Sequence, residues 1–292
     1  MTESIISRTA FVFAGGGSLG AVEVGMLKAL VTHGVHADFV VGASVGAINA
    51  AYFAGDPSAA GVARLDAVWR GIRRRDVFPM APFTHLLGLF AWRDHLVNPE
   101  PLKNLLARHL SYRRLEEAQI PCHLVATNAL GGGEVRFSSG LVVERLLASA
   151  AIPGVFPPVR IAGKYLLDGG IANNTPISTA VDLGATRVIV LPTGFSCAID
   201  RPPPGAVAMA LHALNLLIAR QMVRDAQQFS SAVEMVIVPP LCPLAASAHD
   251  FSITGTLIDR AADATTRWLD RNGLRAGDIP GALRPHVDRG SQ

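Results

Sequence analysis

Residues 9–54 read TAFVFAGGGSLGAVEVGMLKALVTHGVHADFVVGASVGAINAAYFA, and their alternation decides the architecture. TAFVFA (9–14) is a short apolar, β-prone run closed by glycines, which predicts a buried strand. Leu19, Val22, Met26 and Leu30 then recur at helical spacing, and Gly34 stands where a C-terminal cap belongs, so a helix is expected over 18–33. A second strand is expected over 38–41, then a sharp glycine-rich turn and an apolar helix over 45–54. Strand, turn and helix twice in succession open a sheet covered by helices on both faces.

Outward from this stretch the alternation continues. Helices are predicted over 59–72 and 99–110, the second with Asn98 as N-cap and Pro99 in its first turn. Strands are predicted over 121–128, at EVRF (134–137), at KYLL (164–167), at RVIVL (187–191) and over 233–238, with a helix over 141–150. A later helix carries Val207, Leu211, Leu214, Ile218 and Met222 on one face, and a last one uses Leu257, Ala261, Thr265, Trp268 and Leu269 before Gly273. MAPFTHLLGLFAW (80–92) reads as a buried helix or a flap over an apolar site, burial being preferred, and the PPP run at 202–204 as a stiff loop. No repeat or boundary interrupts this pattern. The chain is read as one α/β domain over 1–292, three layers (α/β/α) around a mostly parallel sheet, with a core over about 9–270 and a poorly ordered tail over 274–292.

Half of the 292 residues are hydrophobic, 17% are charged, and the formal charge is +3, which fits a protein with a sizeable core and no basic stripe for nucleic acid. Arg70, Arg73, Arg74 and Arg75 form the one dense basic cluster and read as a solvated helix end. Cys122, Cys197 and Cys242 are widely spaced, so neither a disulfide framework nor a metal site is indicated, and a reducing cytoplasm suits them. The N-terminus lacks the pattern of a signal peptide, and no apolar run reaches the ~20 residues that span a bilayer, so any membrane contact is expected to be peripheral.

Three motifs carry chemistry. In GGGSLG (15–20), consecutive glycines after a strand can aim several N–H groups at one point in front of a helix, a nest for a phosphate or for the oxyanion of acyl transfer. Gly15, Gly17 and Gly20 also satisfy G-x-G-x-x-G, with Asp38 near the offset of a ribose-binding carboxylate, so a dinucleotide-dependent oxidoreductase is a competing reading. GASVG (42–46) matches G-x-S-x-G between a strand and a helix, where Gly42 and Gly46 permit the sharp turn that exposes Ser44 as a nucleophile. The plainer reading is a serine that caps the following helix. DGG (168–170) is by itself a turn signal. The nine histidines do not obviously supply a triad base, each reading better as a surface or structural residue, and a single strand and helix before Ser44 do not match an ordinary α/β-hydrolase.

GGGSLG, GASVG and DGG in this order, with ASAAIPGVFPPV (148–159) before YLLDGGIANNTPIS, resemble the patatin-like phospholipase family in its bacterial form, over roughly residues 9–270. The resemblance implies a serine–aspartate dyad without histidine: Ser44 as nucleophile, Asp168 as base, and an oxyanion hole from the N–H groups around Gly15, Gly16 and Gly17. Gly20, Gly42, Gly46, Gly169 and Gly170 support these motifs. It further implies lipid ester substrates, no cofactor or metal, and a cytoplasmic protein that can associate peripherally with the inner membrane face. The apolar segments 80–92 and 207–222 are expected to line an acyl channel. A silent lipid-binding protein on the same fold is the alternative. Two positions depart from the family pattern, Leu19 where many members have a basic residue, and Asn128 where bacterial relatives often have Asp.

Overall fold

The computed structural model describes residues 7–79, 95–194, 206–242, 244, 246–275 and 280–283. The segment 80–92 with His85, the PPP run, Cys197, most of the tail with His286, and the side chains of Val207, Leu211, His212 and Leu214 lie outside the described residues.

One eight-stranded sheet organises the chain. Its strands are β1 (Thr9–Phe13), β2 (Phe39–Ala43), β3 (Cys122–Asn128), β4 (Glu134–Phe137), β5 (Val159–Ile161), β6 (Lys164–Asp168), β7 (Arg187–Leu191) and β8 (Glu234–Ile237). Their order is β5-β6-β3-β2-β1-β7-β8, with β4 paired to β3. The run from β3 to β8 is parallel, and β4, β5 and β6 are antiparallel additions. The helices are α1 (Gly20–Thr32), α2 (Val45–Gly55), α3 (Ala59–Gly71), α4 (Arg74–Val77), α5 (Glu100–His109), α6 (Val142–Ser149), α7 (Gly170–Asn173), α8 (Ile177–Asp182), α9 (Ala206–Phe229) and α10 (Thr254–Leu269).

Strand period two divides the core between the two faces. Phe11, Phe13, Val40, Ile189 and Leu191 pack with α1, α2, α3, α5, α6 and α10. Their neighbours Ala10, Val12, Val41, Val188 and Val190 pack with Ile177 and Ala180 of α8 and Met222 and Ala226 of α9. Because both faces are covered, the central strands read as unbroken apolar runs rather than as alternations. The architecture is the expected α/β/α sandwich with a mostly parallel sheet. Most predicted elements fall within a residue or two of their observed bounds. The unforeseen strands and helices are α4, β5, α7 and α8, each too short to display a period.

The pairing around β3 sets where the strand ends converge. Residues 124–127 of β3 pair with β4, so β2 (opposite 122–125) and β6 (opposite 126–128) must share the other edge of β3. They approach along that edge from opposite directions. Ala43 ends β2 opposite Val125, and Asp168 ends β6 opposite Ala126. The two C-termini therefore meet head-on.

Candidate active site

Ser44 is the first residue past β2, at φ 55° and ψ −127°. A left-handed φ at a non-glycine residue costs about 1–3 kcal/mol and persists only where the surroundings enforce it. Here neither flanking glycine can carry a side chain: a Cβ on Gly42 would lie 2.4 Å from the Gly46 carbonyl oxygen, and one on Gly46 2.5 Å from that of Phe13. The Ser44 N–H donates to Ser149 Oγ at 3.0 Å, which donates to the Val125 carbonyl at 2.6 Å. The Ser44 side chain makes no capping bond to α2. Instead its Oγ donates to Asp168 Oδ2 at 2.7 Å, with both residues buried.

Asp168 is held on every side. Its N–H donates to the Ala151 carbonyl at 2.9 Å, and its carbonyl accepts from Thr127 Oγ1 at 2.7 Å. Its Oδ1 accepts the Gly170 N–H at 2.7 Å. Burial pushes the carboxyl up to about 6, against the opposing pull of the bonds from Ser44 and Gly170. DGG is not the tight turn that its composition suggests, because Gly169 has φ −62° and Gly170 opens α7. Glycine is needed at Gly169 for space: a Cβ there would lie 2.1 Å from the Val125 carbonyl oxygen. Among the described residues, the side-chain partners of Ser44 Oγ and Asp168 are each other and Gly170, and none is a histidine. His123 is bonded to Ser138 and His33 to the Ala29 carbonyl, both away from this pair.

The glycine loop faces the same point. A Cβ on Gly15 would lie 3.1 Å from Ser44 Cβ. The Gly15 N–H, however, donates to the Asn174 carbonyl at 3.0 Å, so Gly15 is not available as an oxyanion donor. Its own carbonyl accepts from Thr193 Oγ1 and Asn174 Nδ2. Among the described residues, the N–H groups of Gly16 and Gly17 have no acceptor. Gly17 has φ +60° and packs on the Ala248 carbonyl, which accepts from the Ser18 N–H at 2.7 Å. A short 3-10 turn (Gly17–Leu19) intervenes before α1, which thus begins at Gly20 rather than Ser18. Ser149, Asn174 and Thr193 are the residues that the motifs did not single out. Asn174 and Ser149 lie inside quoted segments but carry no local signal of their own.

The dinucleotide reading fails on topology. Asp38 accepts from the Thr9 N–H at 2.6 Å, at the start of β1, whereas Gly15 follows its end. At about 3.3 Å per residue that separation is roughly 20 Å. Of the two departures from the family pattern, Leu19 is buried in the core beside α1, and Asn128 Oδ1 accepts from the Leu130 N–H to start the β3–β4 turn. Arg70 is bonded to Asp66 and Asp259, tying α3 to α10.

An apolar cavity lined in part by Ser44 and Gly17 encloses about 750 Å³ counting its open mouth. Val45, Ile48 and Tyr52 of α2, Trp69 of α3 and Leu102 and Leu106 of α5 line it. Sequence reasoning placed these helices correctly but expected 207–222 at such a channel. In that stretch Met222 packs on the opposite face of the sheet, because its helix faces Val12 and Val41. The other expected segment, 80–92, lies outside the described residues.

Comparisons with known proteins give the family and relatives of the fold. The sequence model of the family described as patatin-like phospholipase matches residues 11–181, more than half of the chain. A patatin-like phospholipase domain-containing protein 7 of Rattus norvegicus is 26% identical over 188 residues, covering 63% of this chain and 13% of its own length. An uncharacterized NTE family protein of Mycobacterium bovis is 29% identical over 187 residues, covering 63% of this chain and 48% of its own. The chain thus spans less than half of the length of either relative. Human GIVD cytosolic phospholipase A2 superposes with a TM-score of 0.52 at 12% identity, over 98% of this chain and 61% of that one, a likeness of fold.

Proposed function

The chain belongs to the patatin-like phospholipase family, and from that premise we propose that it hydrolyses lipid carboxylic esters through Ser44 and Asp168. The observation that carries the reading is the 2.7 Å bond from Ser44 Oγ to Asp168 Oδ2, with Ser44 in the wall of an apolar cavity. In this reading Ser44 Oγ attacks the ester carbonyl while its proton passes to Asp168 Oδ2. The N–H groups of Gly16 and Gly17 receive the oxyanion. The tetrahedral intermediate collapses, Asp168 returns the proton to the leaving alcohol, and the acyl group stays on Ser44. Water, deprotonated by Asp168, then attacks the acyl-enzyme; the bond to Ser44 Oγ breaks, Asp168 returns the proton to Ser44, and the acid is released.

The environment supports each role. A carboxyl at about 6 is mostly ionised at neutral pH and is a stronger base than an ordinary aspartate. The acyl chain would occupy the cavity beside Ile48, Tyr52 and Leu106. No helix among the described residues is long and apolar enough to cross a membrane, so in this proposal the protein meets lipid peripherally.

The test is labelling with a fluorophosphonate, with mass spectrometry to locate the adduct, on wild type and Ser44→Ala. An adduct on Ser44 that disappears in the variant is expected. Folded wild-type protein without an adduct would overturn the reading in favour of a lipid-binding protein without turnover.

A further inference from the structure

Glu23 lies in α1 with no exposed surface. A buried carboxyl is costly unless it is neutral or paired with a cation. Among the described residues no Lys, Arg or His bonds to it. Its partner is Asn49 of α2, whose Nδ2 donates to Glu23 Oε2 at 2.7 Å and to the Gly20 carbonyl at 2.9 Å. Asn49 Oδ1 accepts from Trp69 Nε1 at 2.9 Å. Every hydrogen-bonding group of the asparagine side chain is therefore in use, in a site where Asn49 is itself 0% exposed.

The three residues join three functional parts. Gly20 opens α1 directly behind Gly16 and Gly17, and α2 leads away from Ser44. Trp69 belongs to the cavity wall and stacks on Phe251 of the same wall, ring centroids 6.3 Å apart. The fit is close, since a Cβ on Gly20 would lie 2.7 Å from Val45 Cγ2 and 3.1 Å from the Trp69 ring. Three consecutive glycines cannot hold their own conformation, yet oxyanion donors must stay within about 0.5 Å of their productive positions. An apolar residue would fill the Glu23 site without any desolvation penalty, so the carboxyl needs a reason to be there.

We propose that Glu23 is a positioning residue for the reaction: through Asn49 it holds the glycine loop in register with Ser44 and ties both to the acyl-cavity wall. This rests on the acyl-hydrolase reading. Burial raises the Glu23 carboxyl well above the usual range, over the opposing pull of Asn49 and the Ala14 backbone.

The test compares wild type, Glu23→Leu, Glu23→Gln and Trp69→Phe on p-nitrophenyl acetate and decanoate, with circular dichroism and Tm as controls. Glu23→Leu should fold and lose about tenfold or more in kcat on both esters, with KM within about twofold. Glu23→Gln, which keeps a neutral acceptor for Asn49, should restore kcat to within about threefold of wild type. Trp69→Phe keeps a ring in the wall but removes the donor to Asn49, and should lower kcat about threefold or more. If Glu23→Leu does not fold, the Glu23→Gln and Trp69→Phe results decide alone. Wild-type kcat in folded Glu23→Leu or in Trp69→Phe, or a Glu23→Gln as impaired as Glu23→Leu, would overturn the proposal while leaving the acyl-hydrolase reading intact. Wild-type protein that neither turns over nor labels at Ser44 would overturn both.

Discussion

Asp168 and Glu23 are both buried carboxyls that lack a cation among the described residues, and their surroundings put them to different uses. Asp168 ends a strand, where Ser44 and Gly170 direct donors at both of its oxygens. Those bonds stabilise the anion and keep the group near 6 despite burial. Glu23 lies within a helix, with Asn49 on Oε2 and no hydrogen-bond partner on Oε1 among the described residues. Burial sets the direction of both shifts, and in each case the hydrogen bonds that favour the anion oppose it without reversing it. The difference separates a carboxyl bonded to the serine hydroxyl from one bonded to an asparagine amide within the core.

The largest expected effect tests that separation directly. Asp168→Asn removes the base but keeps the shape, so kcat/KM should fall about 10³-fold or more on any ester, without loss of folded protein. Glu23→Gln is the same chemical change and should cost little. Near wild-type turnover in Asp168→Asn would end the contrast and the base assignment together. A smaller effect lies in the pH profile. The base must be ionised, so kcat/KM should fall about tenfold per pH unit below an apparent pKa near 6 and level off above it. Glu23→Gln should leave that limb where it is. A limb near 4 in wild type would mean that Asp168 is not desolvated in solution.

How far the sequence reveals this arrangement depends on how local each cause is. β1, α1, β2 and α2 were legible because apolar period and terminal glycines act within a few residues. Ser44 was legible because its motif and its strand–turn–helix context are contiguous. Asp168 was not legible from its own neighbourhood, where Asp-Gly signals a turn and only the family resemblance singled it out. Its position comes from the head-on meeting of β2 and β6 along β3, a contact between residues 124 apart in sequence. Asn174 at Gly15, and Glu23 beneath Asn49, are single polar residues in ordinary surroundings, defined by partners far along the chain. The cavity escaped for a related reason. The apolar faces of α3 and α5 look the same in sequence whether they close on each other or leave space between them.

The smallest effect is one of stability, and its sign runs against intuition. Asp168 has an ordinary carboxylate pKa in the unfolded chain and about 6 in the folded one. Between those values the folded state binds more protons, so stability falls as pH rises from about 4 to about 6 and stays lower above that. The total is about 2–3 kcal/mol at neutral pH, because a tenfold change in proton affinity is worth about 1.4 kcal/mol. Asp168→Asn removes the titration while retaining an acceptor for Gly170. It should therefore unfold at higher denaturant than wild type at pH 8, by up to that amount, with the gap closing toward pH 4. Urea titrations at pH 4, 6 and 8 measure this gap. A gap independent of pH would show that Asp168 is no more burdened than a surface carboxylate, and its advantage as a base would lose its physical origin.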